Sequence, residues 1–325
     1  MERRTGLLQV CAAGVLWGTG GLVVTVLHER DGLGAMTTSA WRMVLAAAAL
    51  LALALATGRR ADLARVARAD PRMVALVGCS TAAYQGLYFV SVLMVRVGVA
   101  TVVSLGLAPV LAAAWEHLRA GTRPSPRQAL VLAAALAGLV LISSSAGHGG
   151  GAPLDRPGLG LLLAVLAGAT YAAGTLLGHG LAQRTDPVTL TTCSTSVGAV
   201  VLAPFGLLAL GRGEPVGSTD PISLLLLVYL GVATLALAYL LLYAGLRTTP
   251  GSAATVATLL EPISAALLAA ALLGERLTAP VVVGGLAILG AVAALRPEDP
   301  APPGAGLRPA RGSRSRPDRR RRTPR

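Results

Sequence analysis

The stretch Val97-Gly-Val-Ala-Thr-Val-Val-Ser-Leu-Gly-Leu-Ala-Pro109 recurs 153 residues further on as Pro250-Gly-Ser-Ala-Ala-Thr-Val-Ala-Thr-Leu-Leu-Glu-Pro262. At the same offset Gly121-Thr-Arg-Pro-Ser125 falls on Gly274-Glu-Arg-Leu-Thr278. One residue further along, Ala13-Gly14 with Trp17 falls on Ala167-Gly168 with Tyr171. A single such pairing carries little in so Ala-rich a chain. Three at nearly one offset, each at the same place in its apolar block, mark a duplication.

The surrounding composition says what was duplicated. Of 325 residues 54% are hydrophobic and 13% charged, with a mean hydropathy of +0.67. Soluble chains carry about 25% charged residues and need that polar surface to cover a core. Here the apolar residues fall in blocks of about 20, the length that crosses a hydrocarbon layer as a helix. Helices are expected at 6–27, 36–57, 73–95, 97–116 and 127–146, then at 158–179, 187–209, 222–245, 250–273 and 278–296. Open sheet edges cannot be satisfied in lipid, and the alternating runs of about ten residues that barrel strands require are absent. The expected fold is an all-α integral membrane protein of ten transmembrane helices in two five-helix repeats. An odd number of crossings per repeat sets the halves in opposite orientation, an architecture that places a binding site at their interface. The domain boundaries follow: a first repeat over 1–146, a linker over 147–157, a second repeat over 158–296 and a disordered Arg/Pro-rich tail over 297–325.

The net charge of +13 would suggest nucleic acid if read alone. Ten of the 28 basic residues, all Arg, lie from Arg296 onward, and nearly all the others sit in gaps between apolar blocks. Arg59, Arg60, Arg65, Arg68 and Arg72 crowd one such gap, which puts that side, both chain ends and the tail in the cytoplasm. Such a tail cannot bury enough apolar area to fold. It is either a solvated extension or a contact with anionic headgroups. The run from Gly6 to Leu27 is too long for a signal-peptide core and lacks an A-x-A-like cleavage site, so it reads as the first crossing. Cys11, Cys79 and Cys193 are scattered inside apolar blocks and read as small packed hydrophobes. Nothing resembles a P-loop, a hydrolase elbow or a zinc spacing, so no catalytic residue, metal or cofactor is expected.

Leu259-Leu-Glu-Pro-Ile263 followed by Leu273-Gly-Glu-Arg-Leu277 resembles the second-half signature of EamA-type members of the drug/metabolite transporter superfamily. Leu16-Trp-Gly-Thr19 and Trp41-Arg-Met43 are also similar to that family, and the resemblance covers residues 6–296. It implies ten helices in a duplicated unit and a transport activity. The first half departs from the pattern: Thr122 stands where Gly-Glu-Arg is common, and Ala108 matches Glu261. A role that needs both symmetric acids is thereby in doubt.

Glu261 lies eleven residues into the ninth helix, roughly 16 Å deep at about 1.5 Å per residue. A charge at that depth costs at least ~2.5 kcal/mol, so the side chain should face the bundle interior. Pro262 beside it weakens the helix. The carboxyl is either a proton or cation coupling site or a structural acid bonded to a neighbouring helix. Arg42 beside Trp41 is either a snorkelling interfacial anchor or an inward gate or anion contact. Glu116, at the cytoplasmic end of the fourth helix, is expected in solvent, and Glu275 with Arg276 in a structural ion pair or turn.

Aromatic residues make up only 3% of the chain. Tyr84 and Tyr88 share a helical face with Gln85 beside them, Tyr239 and Tyr243 repeat that spacing, and Trp17 matches Tyr171. These residues either line a cavity for amphipathic solutes or pack with their hydroxyls on backbone. The expected function is a secondary transporter of a small metabolite or drug-like solute across the plasma (inner) membrane by alternating access, with efflux by proton coupling or exchange. A lipid flippase or membrane scaffold is the alternative, and a membrane-embedded enzyme, which would need several convergent acids or His, the next. Expected partners are the solute and membrane lipids, with a homodimer compatible and no nucleic acid.

Overall fold

The structure, a computed structural model, describes residues 2–95, 97–145, 156–273 and 277–295. The tail over 297–325, most of the linker, Glu275 and Arg276 lie outside the described residues. Every regular element described is a helix. The first half holds α1 (Glu2–Asp31), α2 (Ala35–Ala56), a short α3 (Arg60–Ala69), α4 (Pro71–Val95), α5 (Val97–Ala120) and α6 (Pro126–Ser145). The second holds α7 (Pro157–Ala182), α8 (Pro187–Gly211) and α9 (Pro221–Gly231), which runs through a π-helical turn, Val232–Leu237, into α10 (Ala238–Gly245). After these come α11 (Gly251–Ala257), α12 (Leu260–Leu273) and α13 (Ala279–Ala294).

The starts of these helices are written locally. Five begin with Pro, whose missing N–H would have no partner in a first turn. Asp220 accepts from the Ser223 backbone N–H at 3.0 Å and Asp186 from that of Thr189 at 3.1 Å. Ser125 and Gln128 cap reciprocally, at 2.8 and 3.2 Å.

Three features depart from the sequence expectation. The Arg-rich gap after α2 is not all turn: residues 60–69 form α3, an amphipathic helix with no buried residue. It is framed by ion pairs from Arg59 to Asp186 at 3.0 Å and from Arg184 to Asp70 at 3.3 Å. The eighth block carries the π-helical turn. The ninth block is two helices, parted at Thr258 and Leu259, where the Leu259 N–H reaches back three residues to Val256 and the Glu261 N–H to Thr258. Pro262, which has no N–H to give, lies just beyond that break.

Among the described residues, nine helical stretches are long and apolar enough to cross a membrane, with α9–α10 and α11–α12 each counting as one. The apolar α13, 16 residues, falls short of that length. Large apolar side chains cover the outer surface, among them Leu118, Leu130, Val200 and Leu225, each more than two-thirds exposed. Water would not tolerate so continuous a patch, and lipid does. Cys79 shares that exposed surface instead of packing between helices as expected. The chain is a multi-pass helical membrane protein.

Helix packing follows one pattern twice. α4 packs on α7 as α10 packs on α1, and α5 packs on α7 as α12 packs on α1. α4 meets α8 as α9 and the π turn meet α2, while α2 with α8 and α6 with α13 pair across the halves. Glycines mark the close crossings at matched places. A Cβ at Gly78 would lie 2.5 Å from the Ser194 carbonyl oxygen, and one at Gly231, 153 residues on, 3.2 Å from that of Arg42. A Cβ at Gly14 would lie 3.2 Å from Thr258 Cα, and one at Gly168, 154 residues on, 3.2 Å from Ser104 Cα. Small residues let these backbones approach, which is how helices associate where lipid supplies no hydrophobic drive.

Candidate functional site

The interior between the halves holds a cavity of about 350 Å³, within the range of small-molecule sites. α1, α2 and α4 of the first half and α7, the π turn, α10 and α12 of the second contribute to its wall. The wall residues belong to the later part of α1, the early part of α2 and the later part of α4. The cavity therefore runs from mid-depth toward the face where α1 ends and α2 begins.

Trp17, Arg42, Tyr84, Gln85, Tyr88, Tyr171, Tyr239 and Glu261 all line it. The rings touch in sequence. Tyr88 stacks near Tyr84 at 5.9 Å and Tyr84 on Tyr171 at 5.0 Å. Trp17 then meets Tyr171 edge-on at 6.4 Å and Tyr239 at 5.3 Å. Their hydroxyls are held: Tyr171 shares a hydrogen bond with Thr258 at 2.8 Å, at the α11–α12 break, and Tyr88 one with Thr101 at 2.7 Å. Lining and packing thus coincide at Tyr88 and Tyr171, whose rings line the cavity and whose hydroxyls bond to the scaffold.

Tyr243 departs from this set. It lies one turn beyond Tyr239, 2% exposed, and lines a separate gap of about 10 Å³ with Thr81, Thr175 and Ser80. It packs with Ser80 and Thr81 around that gap, so it closes the floor instead of facing the cavity. A shared helical face put Tyr239 and Tyr243 together, but the cavity ends between them.

Arg42 turns inward while its neighbour stays at the boundary. Trp41 is 40% exposed and donates its indole N–H to the Val216 carbonyl at 2.6 Å. Arg42 Nη2 donates to Thr234 Oγ1 at 3.3 Å, in the π turn, and Arg42 Nε is buried without a partner. The anchor is Trp41, and the Arg42 guanidinium belongs to the cavity wall. Glu261 stands in the first turn of α12, midway along the broken span. No ion pair within 4.0 Å joins it to Arg42 among the described residues.

Glu116 is half-buried and bonded instead of free in solvent. Its carboxylate accepts the Ser252 backbone N–H at 3.0 Å and the Ser252 hydroxyl, tying the end of α5 to the start of α11. Sequence reasoning missed this because Ser252 lies 136 residues away. Phe89, stacked edge-on against Tyr88 at 5.6 Å, also lines the cavity and was missed. Its adjacency to Tyr88 was the available signal.

A helical membrane protein in two similar halves around an aromatic-walled cavity defines a class: a membrane transport scaffold. Comparison with known proteins narrows it. The chain belongs to the EamA-like transporter family, whose pattern matches residues 4–144 and again residues 158–296. It is 29% identical over 271 residues to the uncharacterized transporter YwfM of Bacillus subtilis, covering 83% of this chain and 86% of that one. It is 27% identical over 292 residues to the uncharacterized inner membrane transporter YicL of Salmonella typhimurium, covering 89% and 94%. A solved crystal structure superposes with a TM-score of 0.74 over 90% of this chain and 96% of its own, at 20% identity. That likeness concerns the fold alone.

Proposed function

We propose that this protein is a secondary transporter that carries a small solute across the plasma (inner) membrane by alternating access, with its chain ends in the cytoplasm. The observation that carries the reading is the cavity built by both halves, with a half-buried Arg and a half-buried Glu in its wall. The repeated packing supports ten crossings in two oppositely inserted halves, α13 being the tenth. Inverted halves can exchange conformations, so that one face closes as the other opens. The Tyr243 floor on one side of the cavity suits one end state of such a cycle.

Trp17, Tyr84, Gln85, Tyr88, Tyr171 and Tyr239 form the solute site in this reading, and Glu261 is the group that loads and releases a proton. Arg42 is the charged contact at the outer part. Efflux by proton coupling or exchange is the direction proposed, and the likeness to YicL, an uncharacterized inner membrane transporter, supports the membrane named. Reconstitution into proteoliposomes and screening of labelled amino acids and organic cations tests it. At least one solute should move in response to a pH gradient, and Glu261→Gln should remove that response. Transport indifferent both to the gradient and to Glu261→Gln ends the proton role. Accessibility tags on the two chain ends should report the same side of the membrane, and opposite sides would end the inverted-repeat reading.

A further inference from the structure

Helix α3 carries its charges on opposite sides. At about 100° per residue, Arg60, Arg65 and Arg68 share one side, and all three are exposed. Leu63 and Val66, half-buried, take the other side with Asp62 and the closing Asp70. Asp70 is bonded across to Arg184, and Asp62 to Arg65 at 2.7 Å. The exposed Arg72, at the start of α4, extends the basic side. Among the described residues no ion pair engages Arg60, Arg68 or Arg72. A helix of ten residues is marginal in water by itself. α3 has no buried residue and no side-chain cap at its start, and its packing on α8 and α4 serves one side only.

The surroundings name the missing contact. Leu53 and Leu55 in the last turn of α2, and Met73 and Leu76 in the first turns of α4, are each more than a third exposed on the surface that meets hydrocarbon. α3 lies between them, so its basic side stands at the level where lipid headgroups begin. The segment 153 residues on, over 212–220, belongs to the opposite face, where Asp220 meets Arg30 at the far end of α1. It forms no helix, and its one Arg is set among Glu214 and Asp220. Duplication alone therefore does not account for α3. We propose that α3 and Arg72 form a binding surface for anionic phospholipid headgroups, in the leaflet on the face where α1 begins. The headgroup phosphates take guanidinium N–H bonds that the protein leaves open, and the clustered Arg charges attract a leaflet of opposite sign. Bound lipid steadies α3, and with it the Arg59–Asp186 and Arg184–Asp70 pairs that join the halves there. The inference is independent of what the cavity carries.

The test is thermal melting of the full chain in a mild detergent, with added phosphatidylglycerol or phosphatidylcholine of the same acyl chains. Phosphatidylglycerol should raise the melting temperature by about 3 °C or more beyond phosphatidylcholine. The triple variant Arg60→Gln, Arg68→Gln, Arg72→Gln should bind phosphatidylglycerol at least about tenfold more weakly. The same three positions changed to Lys should keep most of the affinity. Melting without lipid should match wild type, because the three side chains are exposed and unpaired. Should the triple variant fail to fold, each single change carries the same expectation at about a threefold loss. The tail is separated by Arg319→Gln, Arg320→Gln, Arg321→Gln and Arg322→Gln together, in which the preference for phosphatidylglycerol should persist. Equal shifts with the two lipids, unchanged affinity in the α3 variants, or a loss that follows the tail variant instead would each overturn the proposal. So would an equal shift from inorganic phosphate or heparin, which would assign the face to soluble anions.

Discussion

Two helix crossings in this protein share a backbone plan and differ in what they hold. At one, α2 meets the π turn over Gly231, and Arg42 donates to Thr234 at the edge of the large cavity. At the other, α8 meets α4 over Gly78, and Tyr243 sits buried beside Ser80 and Thr81 in the closed floor. Glycine takes the same place in both, 153 residues apart. The first crossing carries a charge beside open space; the second carries hydroxyls and no room. The same contrast recurs at depth, where Glu261 in one half corresponds to Ala108, fully buried, in the other. Duplication supplied the frame, and a handful of side chains made one side of it a site.

The largest expected effect breaks this contrast outright. Ala108→Glu puts a carboxyl where the wall is closed, and should cost upward of about 2.5 kcal/mol, the lower figure for an acid at mid-bilayer. Glu261→Ala, which empties an existing space, should melt close to wild type. Equal melting of Ala108→Glu and wild type in detergent would mean the halves do not differ as described. Next in size, Gly78→Val and Gly231→Val should each cost about 1–3 kcal/mol by overpacking, and similarly to one another if the crossings are equivalent. Denaturation of both variants decides, and a large cost at only one would break the equivalence. Tyr243→Phe should then cost about 1 kcal/mol through its lost hydroxyl, and should loosen the floor, raising the labelling rate of a cysteine placed at Thr175. Thr234→Val should leave that labelling unchanged.

The smallest effect concerns the loop before α9. The Ser223 backbone N–H, the Ser223 hydroxyl and the Arg30 guanidinium hold the Asp220 carboxyl below the usual carboxylate range. A depressed carboxyl adds stability above its unfolded value of about 3.9 and loses it as pH falls through the folded value. The melting temperature of the wild type should therefore drop below about pH 4 more steeply than that of Asp220→Asn. Parallel curves for the two chains would show that the cap contributes nothing to the loop.

What could be read in advance was whatever the chain writes at short range or repeats. Apolar blocks gave the crossings, and rare aromatics gave most of the cavity wall, because a Trp or Tyr in an Ala-rich helix has few other reasons to be there. The π turn could not be read, since Val232-Ala-Thr-Leu-Ala-Leu237 contains neither Pro nor Gly and looks like any other helix. α3 was hidden by its Arg content, which reads as a loop until the amphipathic spacing is weighed. Glu116 and Thr234 depend on partners 136 and 192 residues away, and no local pattern reports them. The helical face shared by Tyr239 and Tyr243 was legible, but the depth at which the cavity stops is set by Thr81 and Thr175 on other helices.

The parting of α11 from α12 has a mechanical consequence. α11 is clamped at its start by Glu116, while α12 leans on α1, where a Cβ at Gly18 would meet Ser264 and the Glu261 carbonyl. A rod hinged at Thr258 sweeps most at its far end and least at its pivot. With 14 residues in α12, a tilt of about 10° carries the distal end some 3–4 Å yet shifts the Glu261 backbone by only about 0.8 Å, at about 1.5 Å of rise per residue. The carboxylate thus sits at the fulcrum and keeps its depth while the lever around it swings.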